Sequence, residues 1–173
     1  MPSPRRWAVR ALDFAAIVVV VAAAARFLVL PRLHGAAVSA PPLTLAALEG
    51  PPFVVEARRG RVVFLDFWAT WCDPCRDSIP LVQRFRRDHP GVEVISVDVG
   101  EPAALVRPFA ARFGMRDVVL DPDETAAHAI GVSGFPTLVA IDPQAHVHVV
   151  GIGFDPGIER VMSAAAARYA SGR

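Results

Sequence analysis

From residue 43 onward, short apolar runs alternate with helical patterns, which predicts an α/β domain: a central mixed sheet with helices on both faces. Three observations carry this reading. Arg61–Trp68, Val92–Val99 and Val118–Leu120 are short apolar runs of the kind that form buried strands. Helical patterns at Pro74–Asp88, Pro102–Phe113, Asp123–Ile130 and Pro156–Tyr169 separate or follow them. Finally, Thr137–Ile141 and His146–Val150 flank Asp142-Pro143-Gln144-Ala145, whose Asp and Pro suit a tight turn, so the chain closes on a hairpin and a helix.

The elements follow in chain order. Arg5, Arg6 and Arg10 precede the apolar run Phe14–Ala25, which continues past Arg26 through Phe27–Leu30. Residues 1–30 therefore read as an export or anchoring segment. As a helix, 14–30 would rise about 25 Å, at the short end of what spans a bilayer core, with Arg26 snorkelling to the outer interface. Ala23-Ala24-Ala25 also offers the small-x-small pattern of a cleavage site, so retained anchor and cleaved signal both stand. Either way the arginines favour a cytoplasmic N-terminus and a domain on the far side of the membrane. Residues 31–42, rich in Pro, Ala and small polar side chains, read as a tether, and 43–173 as the folded domain. Within the first helix Pro80 removes one intrahelical donor and is expected to kink it.

Composition narrows the function. A chain of 173 residues that is 53% apolar is ample for one packed domain. With 18 basic and 17 acidic side chains it carries a net charge of +1, so no bulk field would gather nucleic acid. Every basic side chain apart from the histidines is arginine.

The only two cysteines stand in Trp68-Ala69-Thr70-Trp71-Cys72-Asp73-Pro74-Cys75-Arg76, between a buried strand and a helix. A staple across two residues would constrain the unfolded chain little. A closed zinc site needs four ligands, and the histidines at 34, 89, 128, 146 and 148 are scattered, so no metal site is expected. Soft thiolates do suit copper(I), and Cys72 and Cys75 with His146 or His148 form a second reading as a copper-delivery protein. Redox chemistry fits better. A first thiol at a helix mouth meets unpaired N–H groups and the positive dipole end, so Cys72 ionises more readily, while Cys75 lies one turn inside. Cys72 can attack a substrate disulfide and Cys75 can then release the mixed disulfide, with no cofactor.

Phe64-Leu65-Asp66-Phe67-Trp68-Ala69-Thr70-Trp71-Cys72-Asp73-Pro74-Cys75 resembles the thioredoxin superfamily. Within it the chain is similar to the membrane-anchored, extracytoplasmic thiol:disulfide oxidoreductases of the TlpA, ResA and DsbE type, over about Leu43–Tyr169. Gly134-Phe135-Pro136-Thr137 stands where the superfamily carries its cis-proline. The resemblance therefore implies a thioredoxin-like three-layer fold and a cis Pro136 facing the cysteine pair. It also implies a Phe135 backbone free to pair with an extended substrate. The stretch Gly100–Asp121 exceeds a minimal thioredoxin and supplies the inserted helix and strand of the TlpA-like group.

Two positions depart from that group. Asp66, six residues before Cys72, stands where asparagine is common; a buried carboxyl there has a raised pKa, making it the candidate acid/base for Cys75. Ser78 stands where ResA-like members carry glutamate, and Asp77 beside it should face solvent. Trp71 is assigned to shielding the thiols and contacting partners; Phe67 and Trp68 to packing; Arg84, Arg86 and Arg87 to a solvated helix face. Asp73 and Asp77 outweigh Arg76 around the pair and disfavour a thiolate, so the dithiol should be a reductant. Such a reductant implies a transmembrane electron donor and a client disulfide, either in apocytochrome c or in a copper-assembly protein.

Overall fold

The computed structural model describes residues 38–170. The predicted export segment at 1–30, the first part of the tether and residues 171–173 lie outside the described residues.

Along the chain the elements are β1 (Val38–Ser39), β2 (Thr44–Ala47), β3 (Phe53–Val54), β4 (Val63–Trp68), α1 (Asp73–Asp88), β5 (Glu93–Val99), α2 (Ala103–Arg112), β6 (Val118–Asp121), α3 (Thr125–Ile130), β7 (Thr137–Ile141), β8 (His146–Ile152) and α4 (Ile158–Ala170). A single turn of 3-10 helix, Glu56–Arg58, precedes β4. They build one mixed sheet in the order β1-β8-β7-β4-β5-β6-β2-β3. β4 runs parallel to β5 and β5 to β6, while β7 is antiparallel to β4 and β8 to β7. This is the thioredoxin-like three-layer arrangement, and the extra helix and strand at 100–121 are α2 and β6.

Strand alternation sorts the core onto two faces. Val63, Leu65 and Phe67 of β4 pack with Ile95, Val97 and Val99 and with Ala126 and Ala127 of α3. On the other face Phe64 packs with Val82 and Phe85 of α1 and Met162 of α4. Trp68 continues that face toward the cysteines and packs with Ile79 of α1 and with Val106 and Ala110 of α2. Every residue of β4 is buried, which is why it reads as a continuous apolar run broken only by Asp66.

The hairpin turn forms as expected. The Asp142 carboxylate accepts from the backbone N–H of Gln144 and of His146, and Ala145 takes the positive φ, 65°, that closes it.

Three strands were not expected. β1 and β3 are two residues long and form the two edges of the sheet, and β2 (Thr-Leu-Ala-Ala), between β6 and β3, carries no β-branched or aromatic run; their conformation comes from the strands they pair with. β1 falls inside the stretch read as a tether: Val38 and Ser39 pair with Val147 and His146, and Ala40 N–H donates to the Ala145 carbonyl at 2.6 Å. The sheet thus begins five residues before the domain start read from composition.

Candidate active site

β4 ends at Trp68, and Ala69, Thr70 and Trp71 carry the chain to the mouth of α1. Cys72 caps that helix in an extended conformation, with Pro74 in the first turn, where the missing N–H costs nothing. The Cys75 N–H donates to the Cys72 carbonyl at 3.1 Å and to its Sγ at 3.2 Å. The two sulfurs form a disulfide, with Cα atoms 5.3 Å apart. Cys75 is fully buried and Cys72 is 4% exposed, so Cys72 is the sulfur that a partner reaches.

The loop from the far end of the sequence closes over this pair. The Phe135–Pro136 peptide bond is cis. Thr137 Oγ1 donates to the Gly134 carbonyl at 2.6 Å, and Gly153 N–H donates to the Pro136 carbonyl at 2.7 Å, so the loop is fixed from both sides. Phe135 packs against the cluster holding Cys72, Cys75 and Trp68, and its ring stands edge-on to Trp71 at 5.8 Å. Among the described residues neither the N–H nor the carbonyl of Phe135 is hydrogen-bonded. Trp71 is 66% exposed. Between these two aromatics opens a groove of about 590 Å³ reaching Cys72, with Val99 and Val132 among its apolar walls and Asp73, Glu124 and His128 at its rim.

Asp66 lies beneath. It alternates with Phe64, which packs on Val82 and Phe85, and with Trp68, which packs on Cys75 and Ile79, so it shares the sheet face that α1 covers. Burial raises its pKa from 3.8 to about 7, and its Oδ2 has no hydrogen-bond partner among the described residues.

Sequence reading missed an acidic pair, Asp98 and Glu101. Glu101, just past β5, accepts the Thr70 N–H at 2.5 Å and the Thr70 hydroxyl at 2.6 Å, clamping the loop two residues before Cys72. Asp98 is paired in register with Trp68 and fully buried; burial, reinforced by the neighbouring Glu101, raises its pKa to about 8. The signal was in Val-Ile-Ser-Val-Asp-Val, where Ser96 and Asp98 recur with period two inside an apolar strand.

Other side chains sit as follows. Asp77 is exposed and Ser78 buried. Phe67 and Trp68 are fully buried, with Phe109 of α2 stacked on Trp68 at 5.1 Å. Arg86 departs from the solvated face read for it: its side chain is 20% exposed and is bound to Asp117. The histidines of the copper reading are not brought to the cysteines. His146 and His148 lie at the end of β8 that pairs with Ile141, whereas the proline loop opens the other end of β7. Their rings bind the Asp142 carboxylate at 3.2 and 2.9 Å.

Comparison with known proteins agrees with this geometry. The family model described as Thioredoxin-like matches residues 60–147. The chain is 37% identical over 118 residues to the thiol-disulfide oxidoreductase ResA of Geobacillus thermodenitrificans, covering 66% of this chain and 68% of that protein. It is 35% identical over 119 residues to Bacillus subtilis ResA, covering 66% and 65%. Among solved structures, the thiol:disulfide interchange protein DsbE from Chlorobium tepidum superposes with a TM-score of 0.71 at 27% identity, over 78% of this chain and 96% of that one.

Proposed function

The chain belongs to the thioredoxin-like family, and from that premise we propose that it is an extracytoplasmic reductant of protein disulfides working through Cys72, Cys75 and Asp66. Its activity is thiol:disulfide oxidoreduction. The finer reading rests on one observation: the cysteine pair at the helix mouth opens onto a groove whose rim is acidic and whose Phe135 backbone is unpaired.

In the reduced protein the Cys72 thiolate attacks one sulfur of the client disulfide and expels the other as a thiolate, which takes up a proton. A mixed disulfide then joins Cys72 to the client, which lies along the groove and pairs with the Phe135 backbone. Asp66, ionised, takes the Cys75 proton; the Cys75 thiolate attacks Cys72 Sγ and expels the second client thiolate. The second client thiolate takes up a proton from solvent, and Asp66 returns its proton there. Two electrons thus pass to the client, the two protons it gains match the two that Cys72 and Cys75 give up, and the Cys72–Cys75 disulfide remains. Trp71 and Phe135 grip the client, and Pro136 holds the loop against the pair.

The direction follows from charge. Asp73 and Glu124 line the groove and Asp77 lies one helical turn on, while Arg76, paired with Asp73 at 3.3 Å, opposes them. Carboxylates disfavour the Cys72 thiolate, which weakens the reduced form and makes the pair a better electron donor. The couple is expected toward the thioredoxin end of the superfamily, roughly −270 mV, and away from strong oxidants near about −120 mV.

The arginine-flanked apolar segment at 14–30 supports a place outside the cytoplasmic membrane, anchored or exported. There the disulfide is re-reduced by a transmembrane dithiol donor. The clients the resemblance carries are the haem-attachment cysteines of apocytochrome c and the cysteines of copper-centre assembly. Trapping tests this: in the full chain, Cys75→Ser should freeze a mixed disulfide on Cys72 whose client mass spectrometry identifies. Recovery of no adduct from cells making that variant would contradict the reading.

A further inference from the structure

At the end of the sheet opposite the disulfide lies a cleft of about 950 Å³, inside the size range of small-molecule sites. Five arginines from three separate stretches line it: Arg58 and Arg61 before β4, Arg86 and Arg87 at the end of α1, and Arg116 before β6. Two carboxylates answer them, since Glu93 binds Arg58 at 2.7 Å and Asp117 binds Arg86. Three guanidiniums are left in excess, in a chain whose net charge is only +1. Arg61, Arg87 and Arg116 are exposed, whereas the Arg86 Nη1 is buried and has no hydrogen-bond partner among the described residues. Burial lowers the Arg86 pKa, and the nearby Arg116 guanidinium adds to that, so the cleft places a second cation against one already short of solvent. At the rim, the Cα of Gly91 and of Gly114 faces open space.

The guanidinium fork matches tetrahedral oxyanions bidentately, and a dianion would relieve the crowding. We propose that this cleft binds a phosphate-class oxyanion, either the headgroup of an anionic phospholipid or a free phosphate ester, held by Arg61, Arg87 and Arg116 beside the fixed guanidinium of Arg86. The site is independent of the redox reaction, because it lies where β4, β5 and β6 begin and the cysteines follow the end of β4.

The test is calorimetric titration of the full chain in nonionic detergent with inorganic phosphate, pyrophosphate, glycerophosphoglycerol and, as a zwitterionic control, glycerophosphocholine. Saturable binding of an anionic probe, with glycerophosphocholine inert, is expected. The double variant Arg61→Ala/Arg116→Ala should weaken it by about tenfold or more, while Arg107→Ala, an arginine outside the cleft, should not. Tighter binding of glycerophosphoglycerol than of pyrophosphate identifies the lipid headgroup as the source; the reverse order identifies a soluble phosphate. Insulin reduction at the parental rate by the double variant checks that it is folded; should it fail, Arg61→Gln and Arg116→Gln are read singly. Absence of saturable binding by all three anions, or binding that the cleft variants leave unchanged, would overturn the proposal.

Discussion

Asp66 and Asp98 occupy one face of adjacent strands, and burial raises both carboxyl pKa values into the neutral range, to about 7 and about 8. Their raised pKa values make the native state bind more protons than the unfolded chain between about pH 4 and pH 7–8. Stability is therefore fully present at the acid end of that window and falls as pH rises through it. For Asp66 the rise from 3.8 to about 7 corresponds to roughly 4 kcal/mol lost at the alkaline end. Denaturant midpoints should fall between pH 5 and pH 8, and Asp66→Asn and Asp98→Asn should each flatten the slope and raise the midpoint at pH 8. Asp66→Asn should also slow turnover and erase the rise in rate through about pH 7 that an ionising base produces; an unchanged profile would remove Asp66 from the reaction. Glu101→Ala leaves the Thr70 N–H and hydroxyl unpaired, and a loss of about 2 kcal/mol in chemical denaturation is expected.

At the level of elements, most boundaries were legible because burial on both faces writes a strand as an apolar run. β4, β5 and β7 came out within two residues for that reason, and α1 because a C-x-x-C after a strand marks a helix mouth. What stayed hidden was decided by partners distant in sequence. β1 exists because β8 offers an open edge, and Glu101 matters because it reaches back 31 residues to Thr70. Asp66 could be singled out because it sits close to the cysteines in sequence; Asp98 left only the period-two trace in β5, because its place beside them comes from the register of β4 on β5. The edge pairing has a consequence: a chain starting at Leu43 loses β1 and should unfold at lower denaturant than one starting at Val38, by about 1 kcal/mol. Phe109 docks α2 on the end of β4 by stacking on Trp68 at 5.1 Å, and is backed by Phe113 at the C-terminus of its own helix at 4.6 Å. Phe109→Ala should cost about 3 kcal/mol in the same assay.

Over the whole molecule, charge is distributed by pole. Asp73 and Glu124 line the groove at the cysteines, with Arg76 paired to Asp73, while five guanidiniums against two carboxylates line the cleft where the parallel strands begin, so a net charge of +1 is unevenly spread. In the proposed function the groove carboxylates favour electron donation from the dithiol, and the apolar groove between Trp71 and Phe135 holds the client chain. Both features depend on the topology that carries residues 134–136 back across the sheet to residues 71–75. The most direct measurement is the initial rate of insulin disulfide reduction by the full chain and by Cys72→Ser, with dithiothreitol as the electron source. The parent chain should reduce insulin catalytically, and the variant, left with Cys75 buried behind the missing sulfur, should fall to the uncatalysed rate. Catalysis by Cys72→Ser at the parental rate would contradict the account.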